Sequence, residues 1–400
     1  MGGRVVLPVL LAVGFLVGLG TAVVIGVQSP AEAPALAADR PAPAPPPTEP
    51  TCAGASLEQR AGQVLIVGLP GVLAPGDRLV AEVREVGVGG VFLTKANVEN
   101  EWQVRELVRG LRGGARHGLL VVTDEEPGRV SSFGALLGRT SSARTLAARG
   151  DPADVRRFAR DLGQSLAELG IDANLAPVVD VDDGPARGVI GDRSFSRDPE
   201  RAAEYGLAFS AGLAAAGVLP TAKHFPGHGR SDVDSHWRLG VVDASLDELE
   251  ASDLLPFAAQ INAGVPLVMV GHVAYTALDP DLPASLAPPA YALLRRMGFD
   301  GVAITDSTGM GAVHRTWDFP SSAVMAVAAG ADAVLATDGN HARAMRDALV
   351  EAVETGRVDA DRLDEAAARV LALKGEDPMP VVCRGAEGPP VFGRGRRPEH

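Results

Sequence analysis

The chain has 400 residues, of which 46% are hydrophobic and 22% are charged, and its formal net charge is −13 at pH 7. This length and composition suit one large or two ordinary domains with a substantial core. The acidic balance, without any basic stripe, argues against a nucleic-acid partner.

The first 50 residues predict a membrane segment followed by a linker. Arg4 precedes an uncharged apolar run over residues 5–27, which satisfies the length of about 20 residues that crosses a bilayer. The apolar core of a cleaved signal peptide is shorter, about 7–15 residues, so an uncleaved anchor is favoured. Sites of the small-x-small type, Ala-Glu-Ala at 31–33 and Ala-Leu-Ala at 35–37, keep cleavage open as an alternative. We therefore assign residues 1–28 to an anchor or signal segment and the Ala- and Pro-rich residues 29–50 to an extended linker.

The charges that flank the apolar run predict that the remainder of the chain lies outside the cytoplasm. One positive charge precedes the run and acidic residues follow it, which keeps the N-terminus inside. The protein would then be extracytoplasmic, either anchored to the cytoplasmic membrane or secreted. In that compartment the two cysteines, Cys52 and Cys383, favour a disulfide.

Apolar runs alternate with amphipathic stretches through residues 51–375. The runs cover residues 64–69, 90–94, 119–123, 173–179, 219–222, 267–270, 302–305 and 333–336. Their nearly continuous apolarity is typical of parallel strands covered on both faces. The predicted helices cover residues 101–112, 152–168, 199–215, 246–262, 289–297 and 340–354. We predict an α/β fold, a single (β/α)8 TIM barrel, with a doubly wound open sheet as the alternative. Residues 376–400 predict a largely disordered tail.

Polar residues follow most of the predicted strands directly. They are Asp124-Glu125-Glu126, Asp180 and Asp182 with residues 191–195, Lys223-His224, His272, Asp306 and Asp338. The carboxyl ends of barrel strands converge on one rim, where barrel enzymes build their active sites. This pattern therefore predicts an enzyme.

Asp306 and a pair of residues after the fifth strand are the candidate catalytic groups. Asp306 stands at the tip of a buried strand, a rigid position that suits a nucleophile; a helix N-cap is the alternative. Asp234 and His236 are two residues apart and would point the same way in an extended segment. The carboxylate could then orient the imidazole and support it as a general acid.

A zinc site and a serine hydrolase are the competing interpretations. His224, His228, Asp232 and His236 are spaced closely enough to suggest metal ligands. The helical His-Glu-x-x-His arrangement is absent, however, and Pro226-Gly227 disfavours a helix between the first two histidines. No Gly-x-Ser-x-Gly segment occurs. Both interpretations are therefore disfavoured, and we expect no metal.

The chain resembles glycoside hydrolase family 3, and within it the β-N-acetylglucosaminidases that act on peptidoglycan. The resemblance covers most of residues 56–375. It is carried by Lys-His-Phe-Pro-Gly-His-Gly at 223–229 with Asp-Ser-His at 234–236, by Ile-Gly-Asp-Arg-Ser-Phe at 190–195 and by Ala-Pro-Val-Val-Asp-Val at 176–181.

The resemblance implies a barrel and a retaining mechanism through a covalent glycosyl-enzyme, without a cofactor. The nucleophile falls on Asp306, and the acid/base falls on His236 backed by Asp234. The positions that bind sugar hydroxyls in the family fall on Asp124, Arg193, Lys223 and His224. The implied substrate is a cell-wall glycan or muropeptide that ends in β-linked N-acetylglucosamine.

Four positions depart from the family pattern. The Asp-Gln-Glu-Gly-Gly-Arg segment appears here as Asp-Glu-Glu-Pro-Gly-Arg at 124–129, a basic position falls on Ser132, and the residue after the nucleophile is Ser307 instead of Asp. These changes leave open another terminal β-sugar or a barrel that binds cell-wall glycan without cleaving it. A phosphorylase is a further alternative, because a neutral histidine base carries no negative charge to repel phosphate.

Overall fold

The computed structural model describes residues 54–115 and 117–378. Within these residues the strands are β1 Leu65–Gly68, β2 Gly90–Leu93, β3 Leu120–Thr123, β4 Ala173–Asn174, β5 Leu219–Phe225, β6 Gly240–Val242, β7 Leu267–Val270, β8 Val273–Tyr275, β9 Val302–Thr305 and β10 Val334–Ala336. The helices are α1 Leu57–Gln63, α2 Arg78–Val86, α3 Glu101–Arg112, α4 Gly134–Leu137, α5 Ala143–Arg149, α6 Pro152–Glu168, α7 Pro199–Ala215, α8 Leu246–Glu250, α9 Leu254–Asn262, α10 Pro288–Arg296, α11 Gly311–His314, α12 Phe319–Ala329, α13 Ala342–Glu354 and α14 Ala360–Leu373.

Eight parallel strands form a nearly closed, barrel-like sheet. Their order is β10-β1-β2-β3-β4-β5-β7-β9. The two end strands meet at a parallel bridge between Ile304 and Ala333, where the amide of Thr305 donates to the carbonyl of Ala333 at 3.1 Å. A doubly wound sheet keeps its edge strands apart, so that alternative is wrong, and the predicted succession of strands and helices around a barrel-like sheet is confirmed.

Both faces of the sheet are apolar because one faces the barrel interior and the other faces the helices. Along β1, the side chain of Ile66 joins the inner cluster with Phe92, Met269 and Ile304. Its neighbours Leu65 and Val67 join the outer cluster that packs on the helices. Burial on both faces explains why each strand appears in the sequence as a continuous apolar run.

Two predicted elements differ from the structure by more than three residues, and a proline accounts for each. The strand predicted at 173–179 spans only Ala173–Asn174, because Pro177 has no amide to donate to the ladder. The helix predicted at 246–262 is divided into α8 and α9. Pro256 would break a continuous helix, but it is tolerated in the first turn of α9.

A two-stranded ribbon outside the barrel was not predicted. Strands β6 and β8 pair in parallel, with Gly240 opposite Val273 and Val242 opposite Tyr275. The ribbon ties the end of the long loop after β5 to the segment after β7. That loop carries the His236–Asp234 pair, so the ribbon fixes where the loop returns to the body.

The predicted anchor, linker, disulfide and tail fall wholly or largely outside the described residues. Residues 5–27, Cys52 and Cys383 all lie there, so these predictions stay predictions. Within residues 54–115 and 117–378, no helix is both long enough and apolar enough to cross a membrane.

Candidate active site

The four predicted sugar-binding side chains meet at the rim formed by the carboxyl ends of β3, β4 and β5. They are Asp124, Arg193, Lys223 and His224. The ammonium of Lys223 lies 2.7 Å from Asp124 Oδ1 and 2.6 Å from Glu126 Oε1. Arg193 binds the same Glu126 with both Nε and Nη2, at 2.8 and 2.7 Å. Segments that are far apart in sequence are therefore joined by a single network of ion pairs.

Burial makes each member of this network depend on its partners. Lys223 is 1% exposed and Glu126 is 2% exposed. Burial opposes the charge of Glu126, but Arg193 and Lys223 outweigh it and hold the pKa of that carboxyl well below its ordinary value. Burial raises the pKa of Asp124 in spite of Lys223. The network is thus a rigid platform of paired charges.

His224 extends the network towards β4. Its Nδ1 lies 2.7 Å from Asp180 Oδ2, and its Nε2 lies 3.3 Å from Nη2 of Arg193. Arginine can only donate a hydrogen bond, so Nε2 of His224 accepts one from Arg193 and the Nδ1–H group donates one to Asp180. Asp180 also accepts the amides of His224 and His228 at 3.1 and 2.7 Å, which fixes the turn after β5.

Asp306 follows β9 and is held by backbone hydrogen bonds. Its own amide donates to the carbonyl of Val270 at 2.9 Å, and its Oδ1 accepts the amide of Ser307 at 2.7 Å. Burial alone would raise the pKa of Asp306, but its electrostatic interactions with His272, His224 and Lys223 and the hydrogen bond from the Ser307 amide hold that pKa below its ordinary value. The carboxylate is therefore ionised at neutral pH.

His272 follows β7 and supports the Asp306 segment. Its Nε2 donates to the carbonyl of Ser307 at 2.8 Å, and its Nδ1 lies 2.7 Å from the hydroxyl of Ser285. Burial lowers the pKa of His272 even though Asp306 lies nearby. A neutral His272 satisfies both contacts and keeps the backbone next to Asp306 in place.

Asp234 and His236 are in contact, as their spacing predicts. Asp234 Oδ1 lies 2.8 Å from His236 Nδ1 and accepts the amide of His236 at 2.9 Å. Partial burial would raise the pKa of Asp234, but the hydrogen bonds from His236 outweigh it and hold the pKa of that carboxyl below its ordinary value. The His236 side chain is 66% exposed, and the backbone carbonyl of His236 accepts the amide of Gly311, five residues after Asp306, at 3.0 Å. The pair therefore belongs to the same rim as Asp306.

The loop from Asp124 to Ser132 is closed by its own hydrogen bonds. The amide of Glu126 donates to the carbonyl of Val130 at 2.9 Å, and the amide of Ser132 donates to the carbonyl of Asp124 at 3.2 Å. Ser132 is buried, and its hydroxyl also donates to Asp124. Pro127 is thus accommodated in a compact turn, and position 132 presents no cation to a substrate.

The four residues considered as zinc ligands do not form a common site. His224 turns to Asp180 and Arg193, whereas His228 Nε2 lies 3.4 Å from the hydroxyl of Ser235. In the part of the chain that the structure describes, no three His, Cys, Asp or Glu side chains are grouped so that they could hold a metal ion.

Sequence reasoning assigned no separate role to Glu126, Asp180 or His272. All three were noted only as polar residues after strands. Their identity gives no sign that each binds a residue elsewhere on the rim, because those partners lie up to 97 residues away in sequence. A buried cation such as Lys223 does indicate that carboxylates must lie near it.

Removal of the central carboxylate should destabilise the fold. We expect Glu126→Ala to lower the free energy of unfolding by about 3–5 kcal/mol, because two buried cations lose their shared partner. Urea denaturation measures this loss. The control is Glu351→Ala, which breaks an exposed pair with Arg357 and should cost under about 1 kcal/mol. Equal losses in the two variants would contradict a structural role for the network.

His228 should make stability fall on mild acidification. Burial lowers the pKa of His228 to about 4 from its ordinary value of 6.5. Between these values the unfolded chain binds a proton that the folded chain does not, so stability rises with pH. When the pH is lowered from 7 to 5, we expect the free energy of unfolding of wild type to fall by about 2 kcal/mol more than that of His228→Gln. Urea denaturation at both pH values tests this, and parallel pH dependences would contradict it.

A barrel whose rim joins a rigid carboxylate, a His–Asp pair and a platform of paired polar groups defines a glycosidase-like class of enzyme. Residues 56–373 match the family described as "Glycosyl hydrolase family 3 N terminal domain". The chain belongs to glycosyl hydrolase family 3 and is a glycoside hydrolase acting on O-glycosyl bonds.

Relatives of known name support this assignment. The chain is 37% identical over 334 residues to "Beta-hexosaminidase LpqI" of Mycobacterium tuberculosis, covering 78% of this chain and 85% of the relative. A solved glycosyl hydrolase family 3 structure from Mycobacterium smegmatis is 35% identical with a TM-score of 0.74, covering 80% of this chain and 97% of that one. A family 3 β-N-acetylglucosaminidase from Paenibacillus is 34% identical with a TM-score of 0.76, covering 86% of this chain and 66% of that one.

Proposed function

We propose that this protein is a retaining exo-β-N-acetylglucosaminidase that removes terminal β-linked N-acetylglucosamine from cell-wall glycans. The observation that carries the proposal is the 2.8 Å contact between His236 Nδ1 and Asp234 on the rim that also holds Asp306. A bound Nδ1–H leaves Nε2 free to exchange a proton with the substrate. The similarity to named β-N-acetylglucosaminidases supports the choice of sugar.

In the first step Asp306 acts as the nucleophile. One of its oxygens bonds to the anomeric carbon as the bond from that carbon to the leaving oxygen breaks. His236 donates its Nε2 proton to the leaving oxygen, which departs as an alcohol. A low pKa suits Asp306 to this role, since it keeps the carboxylate ionised and ready to attack.

In the second step water releases the sugar. His236, now neutral, takes a proton from the water as the water oxygen bonds to the anomeric carbon and the ester bond to Asp306 breaks. Asp234 orients the imidazole in both steps and stabilises it while it is protonated. Two inversions at one carbon retain the β configuration.

The network around Lys223 is the proposed floor of the sugar site. Asp124 presents acceptors, Lys223 and Arg193 present donors, and His224 lies against Arg193 beside them, in positions fixed by Glu126 and Asp180. Sugar hydroxyls can bind such groups without rearranging them, because each side chain is already held by a partner.

We further propose that the enzyme works outside the cytoplasm, close to the membrane. The support is the apolar run at residues 5–27 and the Ala- and Pro-rich residues 29–50, which would hold the barrel at a distance from the bilayer. A cell-wall glycan or muropeptide would then be the accessible substrate.

The test uses the full chain, purified in a mild detergent. It should release 4-nitrophenol from 4-nitrophenyl β-N-acetylglucosaminide, and proton NMR should detect the β-anomer first. Early appearance of the α-anomer would refute the retaining mechanism. The same assay with phosphate present separates hydrolysis from phosphorolysis, because a phosphorylase yields the sugar 1-phosphate. Binding of glycan without turnover would instead favour a non-catalytic barrel.

A further inference from the structure

The loop that carries the His236–Asp234 pair is docked on the short helix α11, which follows Asp306 in the chain. The amide of Gly311 donates to the carbonyl of His236 at 3.0 Å, and the amide of Ala312 donates to the carbonyl of Ser235 at 3.0 Å. The backbone at the tip of the loop is therefore bonded directly to the segment that begins with the proposed nucleophile.

Position 311 has room for a hydrogen atom only. A Cβ placed on Gly311 would lie 2.6 Å from the carbonyl oxygen of His236, 2.7 Å from that of Trp237 and 2.9 Å from the carbonyl carbon of Trp237. All three are backbone atoms, which cannot turn aside as a flexible side chain can. Any side chain at this position would move the loop that carries His236 away from α11.

The ring of His236 has little else to hold it in place. Its side chain is 66% exposed, and Asp234, whose carboxylate it contacts, lies on the same loop. The other contact at the tip is made by the buried hydroxyl of Ser235, 3.4 Å from His228 Nε2. The docking of two carbonyls on α11 is thus the main restraint on the distance between the ring and the Asp306 segment.

The α11 side of this contact is firmly fixed. The segment between Asp306 and α11 is bonded to β10, since the amide of Thr308 donates to the carbonyl of Leu335 at 2.9 Å. His272 holds the carbonyl of Ser307. Displacement at position 311 would therefore move the loop with His236 and leave Asp306 in place.

We propose that Gly311 is a positioning residue for the acid/base His236: it allows the loop after β5 to approach the nucleophile segment closely enough for proton transfer. The inference rests on the proposed roles of His236 and Asp306. It predicts a specific defect, in which protonation of the leaving group fails while attack by Asp306 persists.

The test compares Gly311→Ala with Gly76→Ala, since a Cβ at Gly76 meets no atom within 4 Å. Two substrates are used: 2,4-dinitrophenyl β-N-acetylglucosaminide, whose leaving group needs no proton, and chitobiose, whose leaving group needs one. A displacement of about 1 Å can cost about 10²-fold in rate. We expect Gly311→Ala to lose about that factor in kcat/KM on chitobiose and far less on the dinitrophenyl substrate. Gly76→Ala should match wild type on both.

Azide gives a second readout that a merely structural defect would not move. Azide attacks the glycosyl-enzyme without needing a base, so it should speed turnover of the dinitrophenyl substrate by Gly311→Ala and yield the β-glycosyl azide. If Gly311→Ala does not fold, Ser235→Ala replaces it. Loss of the hydroxyl contact with His228 should give the same pattern at a smaller magnitude.

The outcomes separate the two proposals. His236→Ala should lose more activity on chitobiose than on the dinitrophenyl substrate. If it does, a folded Gly311→Ala that loses activity equally on both substrates, or loses none, would overturn the positioning role. If His236→Ala shows no such difference, the proposed mechanism fails and the inference falls with it.

Discussion

Asp306→Ala is expected to abolish turnover of 4-nitrophenyl β-N-acetylglucosaminide. Loss of a covalent nucleophile costs on the order of 10⁴- to 10⁶-fold in kcat, because no other group can form the glycosyl-enzyme. The fold should survive, since the segment is held by backbone bonds such as that from the Asp306 amide to Val270. Steady-state kinetics with thermal unfolding of the same sample measures both effects.

The matched control for this variant is Asp300→Ala. Asp300 precedes β9, whereas Asp306 follows it, and its side chain is exposed. Both changes remove one carboxylate next to the same strand, but only one lies on the rim. Comparable activity in the two variants would remove Asp306 from the mechanism.

His236→Ala is expected to lower kcat/KM by about 10²- to 10⁴-fold on substrates with poor leaving groups, the range that general acid–base catalysis contributes. The loss should shrink for a dinitrophenyl leaving group, which departs without a proton. Azide should then accelerate turnover and leave a β-glycosyl azide. Kinetics across a series of leaving groups measures this dependence.

Two further variants serve as an intermediate case and a control for His236→Ala. Asp234→Asn keeps the shape of the pair and removes the charge beside the imidazole, so its defect should be smaller than that of His236→Ala. His314 is exposed on α11, and His314→Ala should retain wild-type activity. A uniform loss over all leaving groups in His236→Ala would show that the ring binds substrate without transferring a proton.

The barrel could be predicted because its physical requirements are local. A strand covered on both faces must be apolar throughout, and helix starts are marked by side-chain caps such as Asp151 before Pro152. The predicted helices at 101–112, 152–168 and 199–215 agree with α3, α6 and α7 at both ends. The prediction made strand β4 too long, because an apolar run looks like a strand even where Pro177 lacks the amide that a strand needs.

The site was predictable in part for a similar reason. Asp234 and His236 are close in sequence, so their contact follows from spacing alone. The bonds of Glu126 and Asp180, by contrast, depend on which strands become neighbours. The role of Gly311 depends on how a loop some 75 residues earlier returns across the rim, and a glycine in the sequence gives no sign of such an approach.

The ion-pair network also bears on which sugars can enter the cleft. Asp124, Glu126, Asp180 and Asp306 supply four carboxylates, against the two fixed cations Lys223 and Arg193. Even with a proton on Asp124, negative groups outnumber positive ones. Such a field repels a terminal sugar that bears a carboxylate, sulfate or phosphate and attracts a protonated imino sugar. The charge of the site would thus discriminate among ligands in addition to its shape. Cationic sugar mimics are therefore a suitable starting point for inhibitors.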